Sequence, residues 1–210
     1  MNKELETRAY GAEFGFGDES DGTIIEGTPI VFNSRTDIGY FDEIIEVGAL
    51  DEADLTDVRL CLNHDTSYVY ARSRRNNPNS TMQLAVTSEG LRISAKLDTD
   101  SSERAKDFVS MIRRGDIDKM SFMFSIDEDR WEDLESDHPT RHILKIGSVV
   151  EVSAVTFPAY DTTEINARSK EALDNARSAV DTARQLNAKS VDTDKSLELA
   201  KAKFDFTKQF

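Results

Sequence analysis

Residues 115–124 read GDIDKMSFMF, and the predicted fold is arranged around this stretch. A predicted helix ends at the glycine, a short polar turn follows, and a strand is predicted over residues 119–126. Ser121 lies at the start of this strand between two large apolar side chains, Met120 and Phe122. Such a hydroxyl is either a structural serine in the core, as most strand serines are, or a nucleophile held in a dry, rigid place. The residues in the segments before and after Ser121 indicate which of these two roles it has.

Length and composition predict a protein that is neither secreted nor membrane-bound. The 210 residues can form one domain with its own core plus an appendage. No apolar run approaches the ~20 residues that a membrane-spanning helix needs, and the N-terminal segment lacks the apolar core of a secretory signal. Cys61 is the single cysteine, so no internal disulfide can form, and we expect an ordinary buried thiol in a reducing compartment.

The charge is unevenly distributed along the chain. Residues 161–210 hold nine acidic and nine basic residues, so residues 1–160 carry the whole formal net charge of −14. A body this acidic repels phosphate groups, which argues against nucleic-acid binding. Neutral or basic polypeptides are the expected partners.

Residues 1–160 show the alternation and turn signals of short antiparallel strands. One helix is predicted after a capping box formed by Asp100 and Glu103. Its apolar face consists of Ala105, Phe108, Val109 and Ile112. Residues 40–50 and 127–137 are predicted to be loops. The pattern favours mostly β structure with one or two helices, arranged as a closed or partly closed antiparallel barrel.

Residues 161–210 have a different composition and are predicted to form a separate tail. Ala, Ser, Asp and basic residues dominate it, and runs of β-branched residues are absent. One apolar stripe predicts a helix through Leu173, Ala176, Val180, Ala183 and Leu186; a second helix is suggested by Leu197, Ala200 and Phe204. Because alanine fills several stripe positions, neither helix buries much by itself. We expect either a docking or assembly segment or a marginally ordered one.

A serine becomes a nucleophile when a base can take its proton and a further group orients the base. His64 is the best base, because it follows a predicted strand over residues 58–62. Glu151 lies in the apolar strand predicted over residues 148–156, where a carboxylate is costly unless it is paired or at the surface. The alternative for Glu151 is a solvent-exposed edge position. Asp65 is a rival orienting group, but neighbouring residues of an extended segment point in opposite directions.

The sequence gives little support for a metal or a cofactor. His138 and His142 are four residues apart, which would suit zinc on a helix, but Pro139 and the strand-like residues that follow argue against a helix there. We therefore expect surface histidines. The acidic stretch at residues 127–133 lacks the glycine and the final glutamate of a calcium-binding loop.

Four segments together resemble the prohead maturation proteases of tailed bacteriophages, serine peptidases distantly similar in fold to the herpesvirus capsid protease (assemblin). The segments read FDEIIEVGAL at residues 41–50, LNHD at 62–65, RRGDI with MSF at 113–122, and EVSAVTFPAY at 151–160. Each is weak alone, but they occur in order over roughly residues 8–160. The chain departs from the family at residues 70–72, where many relatives have a glycine, and in the longer polar hairpin that follows. These departures leave the cleavage preference open.

The resemblance implies a herpesvirus-protease-like antiparallel β-barrel with flanking helices, followed by a helical C-terminal tail. Ser121 matches the family's nucleophile, His64 its base and Glu151 its acidic third member, with no cofactor and no metal. Substrates would be the scaffold or the scaffolding segments of the major capsid protein, cut by a homodimer inside the procapsid in the host cytoplasm. The oxyanion donors are not identified; backbone N–H groups near the turn at residues 157–160 are candidates.

There are two alternative functions for this sequence. A non-catalytic structural or scaffolding component with the same fold is the main alternative, although an intact Ser121, His64 and Glu151 set argues against it. A small-molecule hydrolase would need a nucleophile elbow of the Gly-x-Ser-x-Gly kind, which this sequence lacks.

The tail repeats the pattern Asn-Ala-basic-Ser three times, at residues 166–169, 175–178 and 187–190. Because the family tends to cleave itself, these repeats are candidate self-processing sites. The alternative is chance repetition in a segment rich in alanine, serine and basic residues.

Overall fold

The computed structural model describes residues 5–10, 14–17, 23–156, 173–190, 193 and 198. Eleven strands and one helix are bounded within this part of the chain, and residues 173–190 are also helical. The elements are β1 Glu6–Tyr10, β2 Gly15–Phe16, β3 Thr23–Val31, β4 Thr36–Asp37, β5 Asp42–Ile45, β6 Asp57–Leu62, β7 Ala71–Arg74, β8 Met82–Val86, β9 Gly90–Leu97, α1 Glu103–Arg113, β10 Lys119–Glu132 and β11 Thr140–Val155. No described helix has the length and apolar character needed to cross a membrane.

The strands form two sheets. The larger sheet has seven strands, with β1, β10, β11, β5 and β4 in order and β6 and β7 extending from the other half of β11. The smaller sheet has the order β2, β3, β9, β8. Side chains from both sheets and from α1 form one core, which includes Ile25, Ile93, Phe108, Phe122 and Val152.

The prediction of mostly β structure with one or two helices is confirmed, but the predicted closed or partly closed antiparallel barrel is not. The described strands are hydrogen-bonded in two separate sheets, and the larger sheet is mixed because β11 pairs in parallel with both β5 and β6. The likeness to a herpesvirus protease barrel thus has no support from the strand order. Alternating sequence patterns report which face of a strand is buried but not which strands pair, so they could not distinguish these topologies.

Two segments predicted as loops contain strands. Residues 42–45, within the predicted loop 40–50, form β5 and pair with the start of β11. Residues 127–132 continue β10, although the segment is acidic, because they pair with residues 140–145 of β11. Tertiary pairing therefore overrides a low intrinsic strand preference in both places.

Helix α1 begins at Glu103 and Asp100 is not its N-cap, so the predicted capping box is wrong. Ser102 is the N-cap, and its side chain accepts a hydrogen bond from the Ala105 N–H. Gly115 follows the helix with φ 74°, a conformation that glycine adopts without steric cost. The helix thus ends where the sequence predicts and leads into β10.

A buried ion-pair network joins β1 to β5, β10 and β11 within the larger sheet. The Arg8 guanidinium donates to Glu43 Oε1 at 2.5 Å and to Glu43 Oε2 at 2.8 Å, and Glu43 is fully buried. Arg8 and Arg141 also donate to Glu6, and Arg141 donates to Asp129 Oδ2 at 2.6 Å. Removing one partner would leave an uncompensated buried charge, which costs on the order of 3–5 kcal/mol.

The helix at residues 173–190 packs on the body through a small apolar cluster that we call the helix dock. Its buried members are Ile38, Phe41, Ala176 and Val180, with Trp131 and Ala179 against them. Gly39, at φ 90°, lies so close to Leu173 that any side chain at position 39 would collide with it.

Polar contacts extend the attachment of this helix. Arg184 donates to the Leu134 carbonyl at 3.0 Å and to the Ser136 carbonyl at 2.7 Å, which fixes the helix to the β10–β11 connection. Leu186, predicted on the apolar stripe, is 62% exposed. The second helix suggested around residues 197–204 lies outside the described residues, apart from residue 198.

We expect Val180→Asp to release this helix, because it places a carboxylate among apolar side chains. The free energy of unfolding should fall by about 2–4 kcal/mol, and amide hydrogen exchange over residues 173–190 should accelerate. Leu186→Asp on the exposed face of the same helix is the control and should change stability by less than about 0.5 kcal/mol. Equal effects of the two variants would contradict this packing.

Candidate active site

Ser121 lies in a row of small residues that crosses four strands. It pairs with Ala9 of β1 on one side and with Ser153 of β11 on the other, and Ser153 pairs with Cys61 of β6. Directly paired residues project to the same face of a sheet, so Ser121, Ser153 and Cys61 share one face. Each is at most 1% exposed. Phe122, the residue after Ser121, lies on the opposite face, in the core.

Glu151 lies on this face by ordinary alternation, two residues before Ser153, and an irregularity in the ladder follows directly beside it. Met123 pairs with Glu151, but Phe124 pairs with Val149, so β11 carries one extra residue between them. The sequence predicted Val149 on the same face as Glu151; instead, Val149 lies in the core. Strict alternation cannot reveal such a bulge.

His64 is held in a turn directly after β6. Asn63 and His64 have φ values of 51° and 60°, a left-handed conformation that costs roughly 1–2 kcal/mol per residue when it is not glycine. The turn is tied to β11: the Asn63 N–H donates to the Ala154 carbonyl at 2.9 Å, and the Thr156 N–H donates to Asn63 Oδ1 at 3.0 Å. Backbone strain of this kind clusters at functional sites.

The imidazole of His64 is hydrogen-bonded to Glu151. Nδ1 of His64 lies 2.7 Å from Oε2 of Glu151, which is 1% exposed. Because a carboxylate only accepts, this contact places the proton of a neutral imidazole on Nδ1 and its lone pair on Nε2. His64 and Glu151 are therefore hydrogen-bonded to each other, while their roles as base and orienting acid stay a prediction.

Ser153 connects the same two residues. Its Oγ accepts a hydrogen bond from the His64 backbone N–H at 3.0 Å and donates to Glu151 Oε1. Sequence reasoning identified neither Ser153 nor the supporting Asn63. The available signal was Asn63 itself, since asparagine is enriched at left-handed backbone positions.

The hydroxyl of Ser121 is bonded elsewhere in this conformation. Its Oγ donates to the main-chain carbonyl of Arg8 at 2.7 Å. Among the described residues no hydrogen bond joins Ser121 to His64, although both border the row that contains Ser153. The structure thus brings His64 and Glu151 together and places Ser121 beside Ser153 without a direct bond to the base.

The neighbouring thiol of Cys61 is unreactive. Cys61 is fully buried, and burial, reinforced by the nearby Glu151 carboxylate, raises the pKa of its thiol to about 12. Since the thiolate is the nucleophilic form, Cys61 is unsuited to attack a carbonyl at neutral pH.

Asp65 and His142 are not hydrogen-bonded to His64 or Glu151. The Asp65 carboxylate accepts from Ser67 and is not bonded to His64, as predicted. His142, expected at the surface, is buried between Glu46 and Glu132, so that expectation is wrong.

Asp37, Asp42 and His138 are the described residues that could together hold a metal ion. Asp42 is already bonded to His138 at 3.2 Å and to Arg35 at 2.6 Å. Burial opposes ionisation of Asp42, but these hydrogen bonds outweigh it and hold the pKa of the carboxyl below its usual range. We interpret the group as a surface ion-pair cluster and assign no metal to it.

The hydrogen-bonded pair of His64 and Glu151 is suited to proton transfer. The Nε2 lone pair of His64 can accept a proton, and the buried Glu151 carboxylate can stabilise the imidazolium that results. The oxyanion donors predicted at residues 157–160 lie outside the described residues.

Comparisons with known proteins identify a matching family model and similar solved structures. A family model described as caudovirus prohead serine protease (Peptidase_S78) matches residues 6–178. Among solved structures, that of the bacteriophage T4 capsid assembly protease aligns with a TM-score of 0.43 and 13% sequence identity, covering 75% of this chain and 100% of that chain. Comparison with curated proteins gives no match. The structural likeness is too low to carry an argument.

We expect the folded protein to resist thiol alkylation. With a pKa near 12, the thiolate fraction of Cys61 at pH 8 is smaller than that of a free cysteine by a factor on the order of 10³. Iodoacetamide labelling at pH 8, followed by intact mass, should therefore be negligible in native protein and complete after denaturation. Rapid labelling of the native protein would contradict the described environment of Cys61.

Proposed function

The chain belongs to the caudovirus prohead serine protease family, and we propose that it is a serine endopeptidase with Ser121 as nucleophile, His64 as base and Glu151 as the orienting acid. The observation that carries this assignment is the His64 Nδ1 to Glu151 Oε2 contact of 2.7 Å beside the Ser121 row. It supports the same three residues that the resemblance selected from the sequence.

The reaction is acyl transfer to a serine. For attack, the Ser121 hydroxyl turns from the Arg8 carbonyl towards His64 Nε2, which takes its proton as Oγ bonds to the scissile carbonyl carbon. The imidazolium then gives this proton to the leaving amine, and water repeats the sequence to release the acyl group. Loose contacts between nucleophile and base are common before substrate binds.

The substrates we propose are the scaffold and the scaffolding segments of the major capsid protein, with the chain acting inside the assembling procapsid in the host cytoplasm. A homodimer is proposed with it, as the resemblance implies. We retain a catalytic body at residues 1–160 and a tail at residues 161–210, whose helix at 173–190 rests on the helix dock.

Self-processing at the Asn-Ala-basic-Ser repeats is also proposed. The repeats at residues 175–178 and 187–190 lie in the docked helix, and Ala176 of the first is buried. A protease site accepts extended peptide, so these two repeats can be cut only after the helix unwinds. The repeat at 166–169 lies outside the described residues.

The alternative of a non-catalytic structural component also has a specific observation in its favour. Ser121 is 1% exposed, and its hydroxyl is already bonded to the Arg8 carbonyl. In that case Ser121 would be a satisfied core serine, and its replacement would leave every capsid protein mass unchanged.

We expect Ser121→Ala to abolish cleavage, because it removes the hydroxyl that we propose as the nucleophile. Co-expression of the chain with capsid and scaffold proteins, compared by intact mass in assembled procapsids, should show shortened products for the wild type only. The rate should fall by at least ~10³-fold. Ser125→Ala, on the same strand and bonded to Ser148 Oγ at 3.0 Å, is the control and should cleave normally. Identical products from Ser121→Ala would overturn the assignment.

We expect Glu151→Gln to lower kcat by roughly 10³- to 10⁴-fold, because the amide cannot stabilise an imidazolium and disturbs the ring tautomer. Its matched control is Glu46→Gln, since Glu46 contacts Nδ1 of His142 at 2.6 Å in a histidine–glutamate pair outside the proposed site. Steady-state kinetics on a peptide that spans a mapped cut would measure both. A comparable loss in the two variants would mean that Glu151 acts only on stability.

A further inference from the structure

The position of His64 depends on restraints from outside its own strand. β6 ends at Leu62, and the two following residues have left-handed backbones, which a chain adopts only when its surroundings enforce it. The base of the proposed reaction is thus placed by β11, to which the turn is hydrogen-bonded. The hydrogen bonds of the turn identify the β11 side chain that supplies this restraint.

Within the described part of the chain, Ser153 is the one side chain bonded to both His64 and Glu151. The His64 backbone N–H donates to Ser153 Oγ at 3.0 Å, Ser153 Oγ donates to Glu151 Oε1, and Glu151 Oε2 faces His64 Nδ1 at 2.7 Å. These three bonds form a closed ring through the backbone and the imidazole of a single histidine.

We propose that Ser153 is a positioning residue that fixes the backbone of His64 and the carboxylate of Glu151 relative to each other. This inference rests on the proposed function, in which these two residues are base and orienting acid. With Oε1 bonded to Ser153, the carboxylate cannot rotate away from Nδ1 while the imidazole gains and loses its proton.

A hydroxyl is the group that this position requires. It must accept from a main-chain N–H and donate to a carboxylate oxygen at the same time, and Ser153 is fully buried, so solvent cannot replace it. Alanine would leave both partners unpaired, whereas threonine would keep both bonds.

The same bonds argue against Ser153 as the nucleophile. Its single hydroxyl proton is directed at Glu151 and its oxygen is occupied by the His64 N–H, so His64 Nε2 has no proton to take from it. Ser121, by contrast, is bonded through its proton only to a main-chain carbonyl.

The first experiment measures position without activity. In full-length Ser121→Ala protein, proton NMR should show a low-field imidazole N–H resonance, assigned to His64 by its loss in His64→Gln. Adding Ser153→Ala should broaden it or shift it upfield, and Ser153→Thr should restore it. Ser148 lies on the same strand as Ser153, and its hydroxyl is bonded to Ser125. Ser148→Ala should leave the resonance unchanged. A resonance that is absent from the Ser121→Ala protein, or unchanged by Ser153→Ala, would overturn the proposal.

The second experiment measures turnover in procapsids that carry active chain. Ser153→Ala should lower kcat on the order of 10²-fold with little change in KM, because displacement of a catalytic group slows chemistry more than binding. Ser148→Ala should match the wild type. If Ser121→Ala still cleaves, the proposed function fails whatever the NMR result. If Ser121→Ala is inactive while Ser153→Ala matches Ser148→Ala, only the positioning role fails.

Discussion

The pairing of β10 with β11 is the constraint on which the rest of the structure depends. These two strands form the longest ladder, and its register decides which side chains enter the core and which form the site. Phe122 and Val152 face one way, Ser121 and Ser153 the other. A bulge beside Glu151 returns Val149 to the core without displacing the site. Because a strand has a side-chain period of two, a slip by one residue would exchange the two faces.

The same ladder compensates the local cost of the His64 turn. A left-handed pair of non-glycine residues is unfavourable alone, and here it is held by bonds to Ala154, Thr156 and Ser153 of or next to β11. The proposed base is consequently held in a strained turn against a rigid sheet, which is the arrangement expected for a preorganised proton acceptor. The far end of the ladder carries Trp131 of the helix dock.

Sequence patterns predicted the local features well. The helix that ends before Gly115, the strand that begins near Ser121 and the buried thiol of Cys61 all depend on residue type and short-range spacing. The features that failed depend on long-range partners: residues 42–45 became a strand through parallel pairing with β11, and His142 became buried between two glutamates. Ser153 was missed because its role follows from a backbone N–H, which every residue carries.

The attachment of β1 has a consequence for how the protein is made. Arg8 and Ser121 are 113 positions apart, and Glu6 and Arg141 are 135 apart. On the ribosome, β1 emerges long before either partner strand, so it must wait unpaired while the intervening chain is translated. The same delay applies to His64, whose partner Glu151 is 87 positions later. The proposed site therefore cannot assemble until β11 has been synthesised, and translation order alone keeps the nascent chain inactive.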